Sequence, residues 1–122
     1  MHEAVIADEL LRHVLSAVEP RHASSVDQVS VRIGALRPIV PDALQMAFAA
    51  AAWGTIAQEA DLQVAQERVL SVCRHCGWMF APKIEGFDFR CPNCHESDAR
   101  IIAGDDIVLV SVLCHTDEEV GA

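Results

Sequence analysis

Four cysteines in the middle of the chain offer the clearest chemistry in the sequence. They form two Cys-x-x-Cys knuckles, Cys73–Cys76 and Cys91–Cys94, with 14 residues between them. A gap of two residues lets both sulfurs of a knuckle point at one ion, and a hairpin brings the second pair round to complete a tetrahedron. Four thiolates leave no open coordination position. The spacing therefore predicts a structural rather than a catalytic metal site.

Zinc is the metal that we favour for this site, and iron is the alternative, because rubredoxin-type sites use the same paired knuckles. Disulfides are disfavoured in a reducing compartment. His75 and His95 lie in and after the knuckles, where we expect exposed loop residues. His95 is a candidate to replace a thiolate at mildly acidic pH. The fifth cysteine, Cys114, ends an apolar segment and is expected to be a buried or edge thiol.

The residues Met1-His2-Glu3 could form a second metal site of a different kind. The Met1 α-amine, the amide nitrogen and imidazole of His2, and the Glu3 amide or carboxylate can close chelate rings around one ion. Nitrogen-rich tetragonal coordination favours nickel(II) or copper(II). From these residues alone, a frayed terminus without a role is the simpler interpretation.

Composition limits the remaining possibilities. The chain has 122 residues, 52% of them hydrophobic, which suits one folded domain with a core. Its net charge of −9 disfavours binding to nucleic acids, which requires a basic face, and to anionic membrane surfaces. No apolar run is long enough to cross a membrane, and no signal peptide is recognisable. We therefore expect a cytoplasmic protein.

Hydrophobic periodicity predicts two helices. Residues 3–18 repeat apolar positions at helical spacing, and Pro20 ends the pattern. A second helix is expected to begin with Asp42 as its N-cap and to end at Gly54. The residues predicted to face inward are Ile6, Leu10, Val14 and Ala17 in the first helix and Leu44, Phe48 and Ala51 or Ala52 in the second.

Three segments are predicted to be strands: residues 28–33, with Val29, Val31 and Ile33 inward, residues 61–70 and residues 107–113. The last is so apolar that it needs a pairing neighbour or cover on both faces. The cysteine segment is too small for an apolar core of its own. We therefore predict an α+β fold, in which a sheet of about three strands with two helices forms residues 1–70 with 101–122, and residues 71–100 are an inserted zinc-ribbon-like lobe.

Several motifs in this order resemble one known family. They are the Met1-His2-Glu3 start, Val31-Arg-Ile-Gly-Ala-Leu, Pro41-Asp-Ala-Leu leading into a helix with Phe48, both cysteine knuckles, and a returning strand that ends in Val108-Leu-Val. Together they span nearly the whole chain. The sequence is similar to the hydrogenase nickel-incorporation proteins of the HypA/HybF type.

This resemblance implies a nickel-binding lobe and a separate zinc-binding lobe. His2 would be the principal nickel ligand, with Met1 and Glu3 contributing, and the zinc ligands would be Cys73, Cys76, Cys91 and Cys94. The family delivers nickel to the large subunit of [NiFe]-hydrogenase together with a GTPase, and in some organisms serves urease. Asp42 is a secondary candidate for a residue near the nickel site.

Two other functional classes stay open at this point. A zinc-ribbon module for protein or nucleic-acid interaction shares the cysteine pattern, as does a rubredoxin-like electron carrier. The sequence contains no nucleophile–base pair with supporting context and no phosphate-binding glycine loop. We therefore expect a metallochaperone that is not itself an enzyme and that binds neither nucleic acid nor membrane.

Overall fold

The computed structural model describes residues 2–116, with only the backbone of His2. In this part of the chain, two α-helices and two three-stranded sheets make up the fold. The predicted α+β class is confirmed. Within the described residues, no helix is long and apolar enough to cross a membrane. The α-helices and strands are α1 His2–Val18, β1 Ala23–Gly34, α2 Pro41–Ala52, β2 Asp61–Glu67, β3 Leu70–Cys73, β4 Met79–Phe80, β5 Ala99–Ala103 and β6 Ile107–Thr116. The strand orders of the two sheets are β2-β1-β6 and β4-β3-β5.

The chain divides into two compact units. The first unit comprises Met1–Val31, Ile39–Ala65 and Leu109–Ala122, and the second comprises Arg32–Pro38 and Gln66–Val108. The predicted lobe boundaries, at residues 70 and 101, stay a prediction. Charge is distributed very unequally between the units. The first contains eleven acidic residues and two basic ones, a net charge of −9, whereas the second contains seven of each and is neutral.

The core of the first unit lies where α1, α2 and β1 bury their apolar residues. The predicted inward stripe of α2 is confirmed, with Ala52 rather than Ala51 as its third member. In α1 the prediction is partly wrong, because Ala17 is exposed and Val18 is buried in its place. The buried residues of this unit in these three elements are Ala7, Leu10, Val14, Val18, Val26, Val29, Val31, Leu44, Phe48 and Ala52.

The single strand predicted for residues 61–70 is wrong. The chain forms two strands there, β2 and β3, and they belong to different sheets. Arg68 and Val69 separate them, and Val69 is buried. Leu62 and Val64 alternate with polar residues in β2, and the polar run Gln66-Glu67-Arg68 then interrupts the alternation before β3. Such an interruption can mark the end of a strand, but it does not show that the next strand belongs to a different sheet.

The start of α2 also differs from the prediction. Val40, not Asp42, is the N-cap, and Pro41 occupies the first helical position, where its missing N–H costs no hydrogen bond. Asp42 lies in the first turn of the helix, and the N-cap residue Val40 makes no side-chain capping hydrogen bond. The Val40 N–H instead donates to the carboxylate of Glu3, at 3.2 Å. A negative charge is favourable at this positive end of the helix dipole.

Three backbone segments of the second unit meet at Gly34 and Gly104. The Gly34 N–H donates to the Asp106 carbonyl at 2.7 Å, and the Leu36 N–H donates to the Gly104 carbonyl at 3.0 Å. A Cβ on Gly34 would lie 2.1 Å from the carbonyl carbon of Gly104. Gly104 has a φ of +92°, and its own Cβ would lie 2.5 Å from the Val69 Cα. Only glycine allows the backbones to approach so closely.

We predict that Gly34→Ala lowers the free energy of unfolding by about 3 kcal/mol or more, because the new methyl group must displace backbone rather than a side chain. Gly86→Ala is the control, since a Cβ there meets nothing within 4 Å. It should stay within about 1 kcal/mol of wild type. Urea denaturation of the metal-loaded proteins measures both. A Gly34→Ala variant as stable as Gly86→Ala would contradict the close approach.

Candidate metal centre

The first cysteine knuckle forms the turn of a β-hairpin. Strands β3 and β4 pair antiparallel, with Ser71 opposite Phe80 and Val72 opposite Met79. At the turn, the Cys73 N–H donates to the Trp78 carbonyl at 2.9 Å, and the Gly77 N–H donates back to the Cys73 carbonyl at 2.8 Å. Gly77 adopts a φ of +80°, a conformation in which glycine has no steric penalty.

The second knuckle repeats this backbone pattern at the same spacing. The Cys91 N–H donates to the Glu96 carbonyl at 2.9 Å, and the His95 N–H donates to the Cys91 carbonyl at 2.8 Å. His95 therefore occupies the position that Gly77 holds in the first knuckle. It has a φ of +66°, which costs a residue with a Cβ about 1–2 kcal/mol. The two knuckles thus present their sulfurs from equivalent turns.

The four sulfurs converge on one point. The Sγ atoms of Cys73, Cys76, Cys91 and Cys94 all lie within 4.8 Å of one another. Two sulfur pairs are closer, Cys73–Cys94 at 3.5 Å and Cys76–Cys91 at 3.6 Å. A Zn–S bond of about 2.3 Å places the sulfurs of a regular tetrahedron about 3.8 Å apart. The four cysteines therefore form a metal-binding cluster whose size fits one tetrahedral ion.

One side of the cluster is buried and the other is accessible. Cys73 and Cys91 are buried, Cys94 is half-buried and Cys76 is exposed. Among the described residues, the buried hydrophobic cluster around them contains one further large side chain, Phe80, with Ala99 packed against it. So small a core cannot stabilise this region alone, and metal coordination is the natural source of the missing free energy.

Hydrogen bonds to sulfur distinguish the cysteines chemically. The Asn93 side-chain amide donates to the Cys76 sulfur at 3.6 Å. This bond and one from the backbone of Trp78 lower the pKa of Cys76 to about 6. At Cys94, a hydrogen bond from the backbone N–H of Glu96 favours a lower pKa. Burial and the neighbouring thiols outweigh that bond and raise the pKa of Cys94 to about 12. Without a metal, the cluster therefore holds a proton that coordination must displace.

Several residues singled out in the sequence lie outside the cysteine cluster. His75 and His95 are exposed, as expected of loop residues. His95 lines a cavity of about 200 Å³ together with Lys83 and Arg90. Cys114 is a half-buried thiol on β6. Asn93 was not singled out from the sequence, and nothing in the spacing of the knuckles indicates that its side chain donates to a sulfur.

The predicted nickel ligands are described only in part. Met1 and the side chain of His2 lie outside the described residues, so the nickel constellation stays a prediction. Glu3 is described, and its carboxylate accepts a hydrogen bond from the Val40 N–H. That bond is the main reason why the pKa of Glu3 lies below its ordinary value. At neutral pH Glu3 therefore places a full negative charge close to the start of α2.

The equivalence of Gly77 and His95 predicts opposite effects of two substitutions. Gly77→Ala should lower the stability of the metal-loaded protein by about 1 kcal/mol, and His95→Gly should raise it by a similar amount, because each changes the cost of the left-handed backbone. His95→Ala, which removes the imidazole but keeps a Cβ, is the control and should gain nothing. Denaturant midpoints measure all three. Changes of the same sign in both knuckles would contradict the equivalence.

Comparison with known sequences places the chain among nickel-handling proteins. The family described as hydrogenase/urease nickel incorporation, metallochaperone, HypA matches residues 1–114. Hydrogenase maturation factor HypA from Picosynechococcus is 33% identical over 112 residues, which cover 92% of this chain and 97% of that protein. Hydrogenase maturation factor HypA from Aquifex aeolicus is 33% identical over 117 residues, covering 96% and 100% of the two chains.

Solved structures have the same fold. The solution structure of the Ni metallochaperone HypA from Helicobacter pylori superposes with a TM-score of 0.69 at 21% identity, covering 94% of this chain and 98% of that one. A second solution structure of a HypA protein gives a TM-score of 0.73 at 22% identity, with 96% and 98% coverage. The shared fold agrees with the sequence match, which extends along nearly the full chain. The chain belongs to the HypA family of nickel-incorporation metallochaperones.

Proposed function

We propose that this protein binds Ni(II) through Met1, His2 and Glu3 and delivers it during the maturation of [NiFe]-hydrogenase. The observation that carries the proposal is the family match, which begins at residue 1 and so includes the potential chelate. The ligands would be the Met1 amine, the amide nitrogen and imidazole of His2, and the amide or carboxylate of Glu3. The family description also names urease, which is a second possible target of the same delivery.

Two features of the first unit support nickel binding at this end of the chain. Helix α1 begins at His2. The first N–H groups of a helix have no carbonyl one turn earlier to bond, so metal coordination by these amides breaks no helical hydrogen bond. The first unit also carries the entire net charge of −9. A negative potential of this kind raises the local concentration of divalent cations.

We propose zinc as the resident metal of the four-cysteine cluster. Four thiolates in a tetrahedron are typical of structural zinc, which has no redox chemistry. Zinc bound at this site would stabilise the fold of the second unit without taking part in nickel transfer. The neutral charge of that unit gives no support to a nucleic-acid-binding zinc ribbon, since a basic face would be required. The zinc-ribbon interaction module considered above is therefore not favoured.

The two sites suit opposite tasks. A ligand set at a chain terminus can be approached by an incoming site and displaced one ligand at a time, whereas four thiolates fixed by two knuckles cannot. Delivery would then occur to a nickel-handling GTPase of the pathway and to the hydrogenase large subunit. Any GTP hydrolysis would belong to that partner, because this chain is proposed to be a carrier and not an enzyme.

Nickel titration by calorimetry tests the proposal on the zinc-loaded protein with its native N-terminus. Wild type should bind about one Ni(II) per chain. His2→Ala removes the imidazole, and a glycine added before Met1 moves the amine out of the chelate ring. Both variants should lose at least about tenfold in affinity. His13→Ala, which removes an exposed histidine farther along α1, is the matched control. Equal affinity in all four proteins would contradict nickel binding at the terminus.

A further inference from the structure

The outward face of α2 is apolar where a solvated helix is normally polar. Met46 on the helix and Trp53, its C-cap residue, are 75% and 79% exposed, and Ala49 and Ala50 between them are exposed as well. At 3.6 residues per turn, these four side chains fall within an arc of about 100°. The opposite face of the helix is buried through Leu44, Phe48 and Ala52. Helix α2 is therefore apolar on both faces, although only one of them is covered by the rest of the unit.

The only polar residues of α2 do not interrupt this face. The side chain of Gln45 is held at one side of this face, because its amide donates to the Leu62 carbonyl of β2 at 2.8 Å. Asp42 lies at the start of the same arc, one turn before Met46. From Met46 to Trp53 the apolar face extends about 10 Å along the helix axis, which is two turns. We call these four residues, Met46, Ala49, Ala50 and Trp53, the α2 face.

The residue types on the α2 face suit a second helix. Tryptophan is enriched among residues that dominate binding energy, and methionine adapts its shape to different partners. The two alanines between them let a partner backbone approach closely. Two apolar side chains that lie two turns apart on a partner helix, about 10 Å along its axis, could then contact Met46 and Trp53 at once.

Charge indicates what kind of helix this would be. Residues 39–65, which contain the α2 face, carry three acidic residues and no lysine or arginine. Asp42 lies on α2 itself, one turn before Met46 and on the same side of the helix, and Glu59 and Asp61 follow the face in the sequence. Like charges facing each other across an interface are unfavourable, and complementary ones favour association and set its specificity. A partner that covers the α2 face therefore needs basic residues at its rim.

We propose that the α2 face is a docking site for an amphipathic helix of a partner protein, with an apolar stripe and flanking lysine or arginine residues. A second copy of this chain is a poor occupant, because it would bring two first units of charge −9 together. An anionic membrane is a poor occupant for the same reason, and alanine inserts little apolar volume into lipid.

The test uses the full-length, zinc-loaded chain with Trp78→Phe, so that Trp53 is the only tryptophan. The probe is a synthetic helix with leucines on one face and lysines on the other. We expect saturable binding with a shift of Trp53 emission to shorter wavelength. Affinity should fall about tenfold when salt is raised from about 0.05 M to about 0.5 M. The same helix with glutamates in place of lysines should not bind.

Two charge-matched variants separate docking on α2 from general attraction to an acidic protein. Met46→Glu places a charge on the α2 face and should weaken binding at least about tenfold. Leu113→Glu adds the same charge at another exposed apolar residue, on β6, and should change affinity less than about twofold. Both positions are more than half exposed, so both variants should keep the wild-type circular dichroism spectrum.

Four results would overturn the proposal. The first is no binding of the leucine–lysine helix, and the second is equal weakening by the two variants. The third is a self-association of the chain, seen by sedimentation, that Met46→Glu abolishes, since the occupant would then be a second copy. The fourth is a Trp53 emission shift with vesicles of phosphatidylcholine and phosphatidylglycerol that Met46→Glu removes, since the face would then bind lipid.

Discussion

The requirement that four thiolates share one cation governs the second unit. In the part of the chain that the structure describes, Phe80 is the one large side chain that joins the cysteines in their hydrophobic cluster. The sulfurs are directed by two equivalent turns. A hydrogen bond closes each turn, from the N–H of Gly77 or His95 to the carbonyl of the first cysteine of that knuckle. Because the turns are set by backbone hydrogen bonds, the sulfurs converge at a spacing near that of a tetrahedral ion. Metal and backbone therefore stabilise each other, as in other small metal-dependent lobes.

The first unit is stabilised in a different way from the second. Its core consists of apolar side chains, most of them from α1, α2 and β1. Its charge of −9 lowers stability through self-repulsion, yet it attracts divalent cations and basic proteins. Both proposals for this unit use that charge, one for nickel at the start of α1 and the other for a basic helix on α2. Glu3 connects the two helices, since its carboxylate accepts the hydrogen bond from the N-cap of α2.

Sequence reasoning succeeded where a local pattern carried the information. The cysteine spacing predicted the cluster, and helical periodicity predicted the inward residues Leu44 and Phe48. It failed where the deciding contact is distant in the chain. Capping of α2 by Glu3 joins residues 37 positions apart, and no local signal distinguishes it from capping by Asp42. Periodicity likewise cannot show that β2 and β3 belong to different sheets, or that one of the two apolar faces of α2 is left exposed.

We infer that the chain keeps two metals apart by offering each a different donor set. X-ray absorption on protein loaded with one Zn(II) and one Ni(II) measures this separation, since each edge reports its own ligands. We expect about four sulfurs at about 2.3 Å around zinc and only nitrogen and oxygen ligands around nickel. Sulfur in the nickel shell would show instead that nickel enters the cysteine cluster and that the two sites are not separate.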